Sequence, residues 1–206
     1  MNKTLNTLFG AMLLAGSASA FAASSVDLTV KGSITPSACE PTLSGGGLVD
    51  YGKISAKDLN ADRPTSLPRQ IVQLTLICDG PTTVALEAKD NRAGSAYRDD
   101  VHYGLGLINT DEKLGEMELR LMSPVADGIA VETIGSIDSA ATWHRESGLW
   151  RDNIVAVAVP GTLTPIMFEQ LSVDLRIEPS IAPTNQLTLT NEVAIDGSAT
   201  ISVVYF

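Results

Sequence analysis

The chain ends in the stretch Ser198-Ala199-Thr200-Ile201-Ser202-Val203-Val204-Tyr205-Phe206, in which apolar residues alternate with small or polar ones. Successive side chains of a β-strand point to opposite faces of its sheet. One face of such a strand would carry Ala199, Ile201, Val203 and Tyr205. The alternation therefore predicts that the chain ends inside a β-strand with one apolar face.

The same two-residue period occurs near the start of the chain. Val26, Leu28 and Val30 alternate with polar residues, Gly32 takes the next place on that face, and Ile34 follows. This pattern predicts a second strand over residues 26–34. That strand could belong to the sheet of its own domain, or it could pair with another chain.

Residues 1–22 have the features of a secretory signal peptide. Lys3 precedes a stretch of apolar and small residues from Leu5 to Ala18, and small-x-small cleavage sites follow at Ala18-Ser19-Ala20 and Ala20-Phe21-Ala22. A membrane anchor would need about 18 or more apolar residues. This stretch is shorter and is interrupted by glycines, so we expect an exported mature chain that begins near Ala23.

The mature chain is acidic. The formal charge of the whole sequence is −10, and removing Lys3 with the signal peptide makes it −11. Its basic residues are scattered and form no patch, so we expect neither nucleic acid nor an anionic membrane as a partner. Residues 23–206 are enough for one domain with a core of its own.

Cys39 and Cys78 are the two cysteines. In an exported chain they predict one intramolecular disulfide. Closing a loop of about 40 residues stabilises a fold by roughly 4 kcal/mol. A metal or catalytic role is disfavoured because the sequence has no CxxC spacing and no histidine close to either cysteine. We expect no metal and no cofactor.

Strand patterns recur along the rest of the chain, and helical patterns do not. The segment Val72–Cys78 and the segment Val84–Ala88 are predicted to form a hairpin-like pair across the turn Asp79-Gly80-Pro81. Further strands are predicted at Tyr103–Ile108, Met117–Met122, Ile154–Val159, Leu171–Ile177 and Gln186–Leu189, with Ser123-Pro124 and Glu178-Pro179 among the turns between them. Short strands with frequent turns favour an antiparallel β-sandwich.

An ordered set of motifs resembles the pilins of the chaperone-usher pathway. The set consists of Val26-x-Leu28-x-Val30-x-Gly32-x-Ile34 followed by Cys39, Tyr51-Gly52-Lys53-Ile54, Val72-x-Leu74-x-Leu76-x-Cys78, Gly104-Leu105-Gly106-Leu107-Ile108, and Tyr205 next to the chain end. The resemblance spans most of the mature chain and points to a pilin-like branch of that family.

The resemblance implies an immunoglobulin-like sandwich over residues 35–206 that lacks its last strand. The amino-terminal extension, residues 23–34, would be the donor strand that fills the groove of a neighbouring subunit, with Val26, Leu28, Val30, Gly32 and Ile34 facing the groove. The groove wall, which also faces the chaperone, would include Ala199, Ile201, Val203 and Tyr205. The implied partners are a periplasmic chaperone, an outer-membrane usher and like subunits, and the implied destination is a fimbrium or the cell surface, reached through the periplasm, with a contribution to cell adhesion.

Two other functions are compatible with the sequence. The first is a self-contained exported binding module, for which a surface glycan is the candidate ligand. Trp143, Arg145 and Trp150 lie in a predicted loop and could stack on a sugar ring, or both tryptophans could plug one end of the sandwich with an arginine packed on them. The second is a small hydrolase. It is disfavoured because His102 and His144 stand in no catalytic spacing and no GxSxG motif is present, so we expect no enzymatic activity.

Overall fold

The computed structural model describes residues 38–98 and 100–206. Along its long strands, buried side chains alternate with more exposed ones. The signal peptide and the predicted donor strand, with Val26, Leu28, Val30, Gly32 and Ile34, lie outside the described residues. The described strands are β1 (Cys39–Leu43), β2 (Thr65–Ser66), β3 (Gln70–Thr82), β4 (Val84–Asp90), β5 (Tyr103–Gly104), β6 (Leu107–Ile108), β7 (Glu112–Lys113), β8 (Gly115–Ala126), β9 (Ile129–Ala130), β10 (Glu132–Ser136), β11 (His144–Arg145), β12 (Ile154–Ala158), β13 (Phe168–Ile181) and β14 (Ala199–Tyr205).

The strands form two antiparallel sheets that pack face to face. The first sheet has the order β1-β3-β13-β8-β5, with β2 beside β13 and β9 beside β8, and the second has the order β11-β10-β12-β4-β14. Strands β6 and β7 form a separate hairpin. Three short 3-10 turns occur at Ser44–Gly47, Ala56–Asp58 and Thr184–Gln186, and the described residues contain no α-helix. The fold is therefore an all-β, immunoglobulin-like antiparallel sandwich, as the sequence predicts.

The core lies between the two sheets because each long strand has one apolar face. In β3, Val72, Leu74, Leu76 and Cys78 are buried while the residues between them are more exposed. In the second sheet, Leu86 and Val155 are buried against them. The described residues contain no helix that is long and apolar enough to cross a bilayer.

The predicted hairpin between β3 and β4 is wrong. Strand β3 continues through Asp79-Gly80-Pro81 as far as Thr82, and β4 begins at Val84 in the opposite sheet. Both edges of β3 are already paired, with β1 on one side and β13 on the other. Because β3 offers no free edge, the chain crosses to the second sheet instead of turning back.

Two predicted turns lie inside strands. Strand β8 passes through Ser123-Pro124, where Ser123 has φ +50° and the register between β8 and β13 shifts. A β-bulge therefore accommodates Ser123 within the strand. Strand β13 passes through Glu178-Pro179. Pro179 is tolerated there because β3 begins at Gln70, opposite Ile177, so no residue of β3 needs a hydrogen bond from Pro179.

Two predicted strands are also corrected. The segment Tyr103–Ile108 divides into β5 and β6 at Gly106, whose φ of +92° does not fit a strand. Gln186–Leu189 is not a strand. Its backbone groups bond to side chains of the β6–β7 hairpin instead: Thr188 donates its N–H to Glu112 Oε2 at 2.6 Å and accepts from Asn109 Nδ2 at 2.8 Å.

One lateral side of the sandwich is closed by the segment after β11. Glu146 donates its backbone N–H to the carbonyl of Thr133 in the second sheet, and Ser147 then accepts the N–H of Leu121 in the first sheet at 2.7 Å. Leu149 donates to the carbonyl of Leu119 at 2.9 Å. This segment therefore joins the two sheets along the side where β8 faces β10.

Candidate functional site

Strand β14 is an edge strand of the second sheet. It pairs with β4 from Ala199 opposite Asp90 to Tyr205 opposite Val84. No described strand pairs with its other edge. In an antiparallel strand, alternate residues direct their N–H and C=O groups to opposite sides. Half of the backbone groups of β14 therefore face away from β4 and can bond to an added strand.

The inner face of β14 contributes to the core without being fully covered. Ala199, Ile201 and Val203 pack against the main hydrophobic core, yet each remains partly exposed. Val204 points to the opposite face of the sheet and packs against a small cluster that includes Ala85 and Ala156. The side chains of β14 therefore alternate between the two faces of the sheet as the sequence predicts. The apolar face of the strand borders space that is not completely filled.

Strand β1 forms the other wall, at the edge of the first sheet. The disulfide between Cys39 and Cys78 fastens β1 to β3, as the sequence predicts. The backbone N–H of Cys39 donates to the hydroxyl of Tyr205 at 2.8 Å. This hydrogen bond connects the two walls at the end where the described chain begins.

An open groove separates the walls farther along. A cavity of about 240 Å³ lies there, lined by the apolar side chains of Leu43, Val72, Leu119, Leu175 and Ile201 among others. A second cavity of about 460 Å³ continues from it between the segments 49–59 and 189–195. Tyr51 borders both cavities, and its buried hydroxyl finds no hydrogen-bond partner among the described residues. Burial also raises the pKa of this hydroxyl above its usual value.

The two edges that border the groove differ in chemistry. Residues 198–206, which include β14, contain no charge, no proline and no glycine. Charged residues and prolines are the usual protection of an exposed edge against pairing with another strand. Strand β1 has Pro41 at its centre, opposite Leu76, and a proline cannot donate a ladder hydrogen bond. An added strand would therefore pair with β14 in preference to β1.

The three candidate sugar-binding residues do not form one site. Trp143 packs against Phe206 with ring centroids 5.4 Å apart, on the outer side of the second sheet. Trp150 lies under the guanidinium of Arg120, a residue of the first sheet, at 5.1 Å. Arg145 is exposed, and its Nη2 atom lies 3.7 Å from Oε2 of Glu132. The expected packing of an arginine on a tryptophan is found at Trp150. The two tryptophans do not plug one end together, because the segment between them crosses from one sheet to the other.

Trp150 is part of a polar cluster that the sequence did not indicate. Its indole N–H donates to Glu146 at 3.0 Å, and its ring meets the edge of the His102 ring at a centroid distance of 5.8 Å. His102 is buried between the carboxylates of Asp100 and Glu118. Burial raises the pKa of Glu118, but hydrogen bonds from Arg120 and His102 outweigh it and hold that pKa below its usual value. The cluster joins β5 to β8, and its polar groups satisfy one another.

The described residues contain no group of three or more His, Cys, Asp or Glu placed to hold a metal ion. The feature that stands out is the groove beside β14. Together with the fold, it defines an all-β sandwich with a disulfide and an uncharged edge strand, β14, whose outer edge pairs with no described strand.

Comparisons with known proteins agree on a relationship without supplying an activity. A family model described as "Protein of unknown function (DUF1120)" matches residues 28–123. Over 97% of its length the chain is 27% identical to Protein GltF of Escherichia coli (strain K12), 98% of which is covered. It is also 27% identical to the uncharacterized protein YhcF of the same strain, over 94% of this chain and 98% of that protein. The chain is therefore similar, almost end to end, to these two bacterial proteins.

Proposed function

We propose that the protein is a structural subunit of a surface fimbria or pilus, assembled by exchange of a donor strand between subunits. The observation that supports this most directly is the outer edge of β14, which is uncharged, is paired with none of the described strands and lies beside an open apolar groove. An exposed edge of this kind invites pairing with another chain unless a partner covers it. Addition of a strand to a sheet edge is a common way of binding an extended segment.

Residues 26–34 are the segment that fits such a groove. They contain alternating apolar residues, and nine extended residues reach about 30 Å, which is enough to run along the seven residues of β14. Main-chain hydrogen bonds to β14 would supply one part of the affinity. Burial of Val26, Leu28 and Val30 would supply the rest, at about 1.5 to 3 kcal/mol for each side chain that becomes fully buried.

The same proposal includes partners and a destination. Residues 1–22 would direct export, a periplasmic chaperone would cover the edge of β14 until assembly, and an outer-membrane usher would bring subunits together. Like subunits would then exchange strands at the cell surface, where the fimbria contributes to adhesion. No cofactor and no enzymatic step is part of this function.

Deletion of residues 24–34 tests the proposal. The truncated mature chain, produced with its candidate chaperone, should fold and keep its disulfide but should not donate a strand, so assembly should stop at that subunit. A synthetic peptide of residues 24–34 should bind the released, truncated chain. At 100 times its dissociation constant the peptide should raise the melting temperature by about 5–10 °C.

The control is the same peptide with Gly32→Leu. A bulky side chain at this place should weaken binding if the groove is closed there, whereas a non-specific apolar peptide would bind at least as well with the extra leucine. Unfolding of the truncated chain in the presence of its chaperone would contradict strand donation, since it would mean that residues 26–34 belong to the domain's own sheet. The protein would then be a self-contained module.

A further inference from the structure

The described chain begins at a fixed place on the sandwich. The carbonyl of Ala38 accepts the backbone N–H of Asp79 at 2.9 Å, and Cys39 pairs with Cys78 directly beside it. We call this end of the sandwich the amino-terminal pole. It also contains the end of β3 at Thr82 and the start of β13 at Phe168, which are paired with each other.

The tether between the proposed donor segment and this pole is short. Ile34 and Ala38 are separated by Thr35, Pro36 and Ser37. Four residue steps span at most about 14 Å even when the chain is fully extended. If residues 26–34 occupy the groove of another copy, the amino-terminal pole must therefore lie against that copy.

The amino-terminal pole has exposed apolar side chains. Met167, Ile129, Val159 and Leu163 are 65%, 69%, 51% and 47% exposed. Only β3 separates β1 from β13, and neighbouring strands are about 4.8 Å apart. Phe168 pairs with Thr82, three residues beyond Asp79 along β3, so the start of β13 lies about 14 Å from Ala38. Ile129 is nearby because the turn before it, at Asp127, accepts the backbone N–H groups of Glu169 and Gln170.

The loop that presents three of these side chains is uncharged and held in one shape. Residues 159–167 contain no ionisable side chain, although 18% of the whole chain is charged, and they include Pro160 and Pro165. Thr162 donates its backbone N–H to Val159 at 3.0 Å, and Gly161 donates to Glu132 Oε2 at 3.1 Å. A loop fixed in this way loses little conformational freedom when it binds.

We propose that the patch formed by Ile129, Val159, Leu163 and Met167, here called the pole patch, is the surface that packs against the copy of this chain that receives the donor segment. This inference rests on the proposed strand exchange. The patch fits a second copy because two chains of like net charge repel each other, and an uncharged apolar contact avoids that repulsion. The pole patch would make the junction between subunits stiff, where a short tether alone would leave it hinged.

An asymmetric binding measurement tests the pole patch. The wild-type mature chain is held at low density on a biosensor surface as the donor, and the mature chain with Leu28→Asp is the soluble acceptor, since it keeps its groove but cannot donate. Leu163→Lys or Met167→Lys in the donor should raise the dissociation constant about tenfold or more. The same substitution in the acceptor should change it less than twofold, because the acceptor's own pole patch is not in the junction.

The matched control is Leu107→Lys in the donor, at a leucine of similar exposure on the β6–β7 hairpin. It should leave the dissociation constant unchanged. Inserting Gly-Ser-Gly-Ser between Ser37 and Ala38 should weaken the dependence on the pole patch, since the longer tether no longer forces contact. Equal dissociation constants for wild-type and Leu163→Lys donors would overturn the inference.

The failure of the two proposals can be told apart with the free peptide. A peptide of residues 24–34 should bind the Leu28→Asp acceptor with the same affinity whether or not the acceptor also contains Leu163→Lys. If that peptide binds and the donor substitutions have no effect, the pole patch is contradicted and strand exchange stands. If the peptide does not bind the acceptor, strand exchange itself is contradicted.

Discussion

Single residues hold the two walls of the groove in place. The disulfide at Cys39 fixes the position of β1 against β3, and the hydroxyl of Tyr205 then accepts the N–H of the same residue. Pro41 removes a donor from the middle of β1. Each of these residues acts on the backbone of an edge strand, which is the part of a sheet that another chain can reach.

The disulfide should contribute a large share of the stability. Cys39→Ser should lower the free energy of unfolding by about 2–4 kcal/mol, since it opens a loop with a sequence separation of 39 residues. Denaturant titration of the exported protein measures this change. Mass spectrometry of the wild-type protein under alkylating conditions should find no free thiol, and two alkylated cysteines in the native protein would refute the pairing.

Gly104 should tolerate no side chain. A Cβ atom at this position would lie 2.0 Å from Ser95 Oγ and 2.8 Å from the carbonyl oxygen of Arg92. Gly104→Ala should therefore destabilise the protein by about 1–3 kcal/mol, measured by thermal or denaturant unfolding. Gly80→Ala is the matched control, because a Cβ there meets no atom within 4 Å. Similar losses for the two variants would mean that crowding at Gly104 is not the cause.

At the scale of elements, the sequence was informative wherever one face of a strand is buried. The alternation in β3, β4 and β14 is strong enough to be read directly, because every second residue contacts the core. Strand β10, Glu-Thr-Ile-Gly-Ser, has no such alternation, since its outer face is also covered. The partner of each strand could not be read, because pairing depends on which distant edges remain free.

The two faces of β14 should respond differently to a charge. Val203→Asp places a carboxylate against the core and should cost about 2 kcal/mol or more, with loss of assembly and of recovery with the chaperone. Thr200→Asp is the control, since Thr200 is exposed and pairs with Lys89, which favours an acidic partner. Ser202 is a poorer control because it pairs with Glu87. Unfolding experiments measure the stability of both variants, and size-exclusion chromatography measures their assembly. Equal losses of stability and assembly in the two variants would show that β14 has no docking face.

At the scale of the whole molecule, the two lateral sides of the sandwich differ in how the sheets are joined. One side is closed by the segment around Ser147, which bonds to both sheets, whereas the other side, between β1 and β14, is joined by the hydrogen bond of Tyr205 to Cys39. The two cysteines predicted the disulfide, and the recurring strand patterns predicted the antiparallel sandwich. The closing segment could not be predicted, because the two tryptophans that flank it lie close together along the chain yet pack against different sheets.

Amide hydrogen exchange along β14 tests the central claim most directly. The mature chain with Leu28→Asp, whose own segment is disabled, is compared with and without the free peptide of residues 24–34. The outward-facing N–H groups of Ala199–Tyr205 should exchange more slowly when the peptide is bound, while exchange in Cys39–Leu43 should change little, since Pro41 interrupts that edge. Unchanged exchange in β14 at saturating peptide, or slowing confined to β1, would contradict strand addition at this groove.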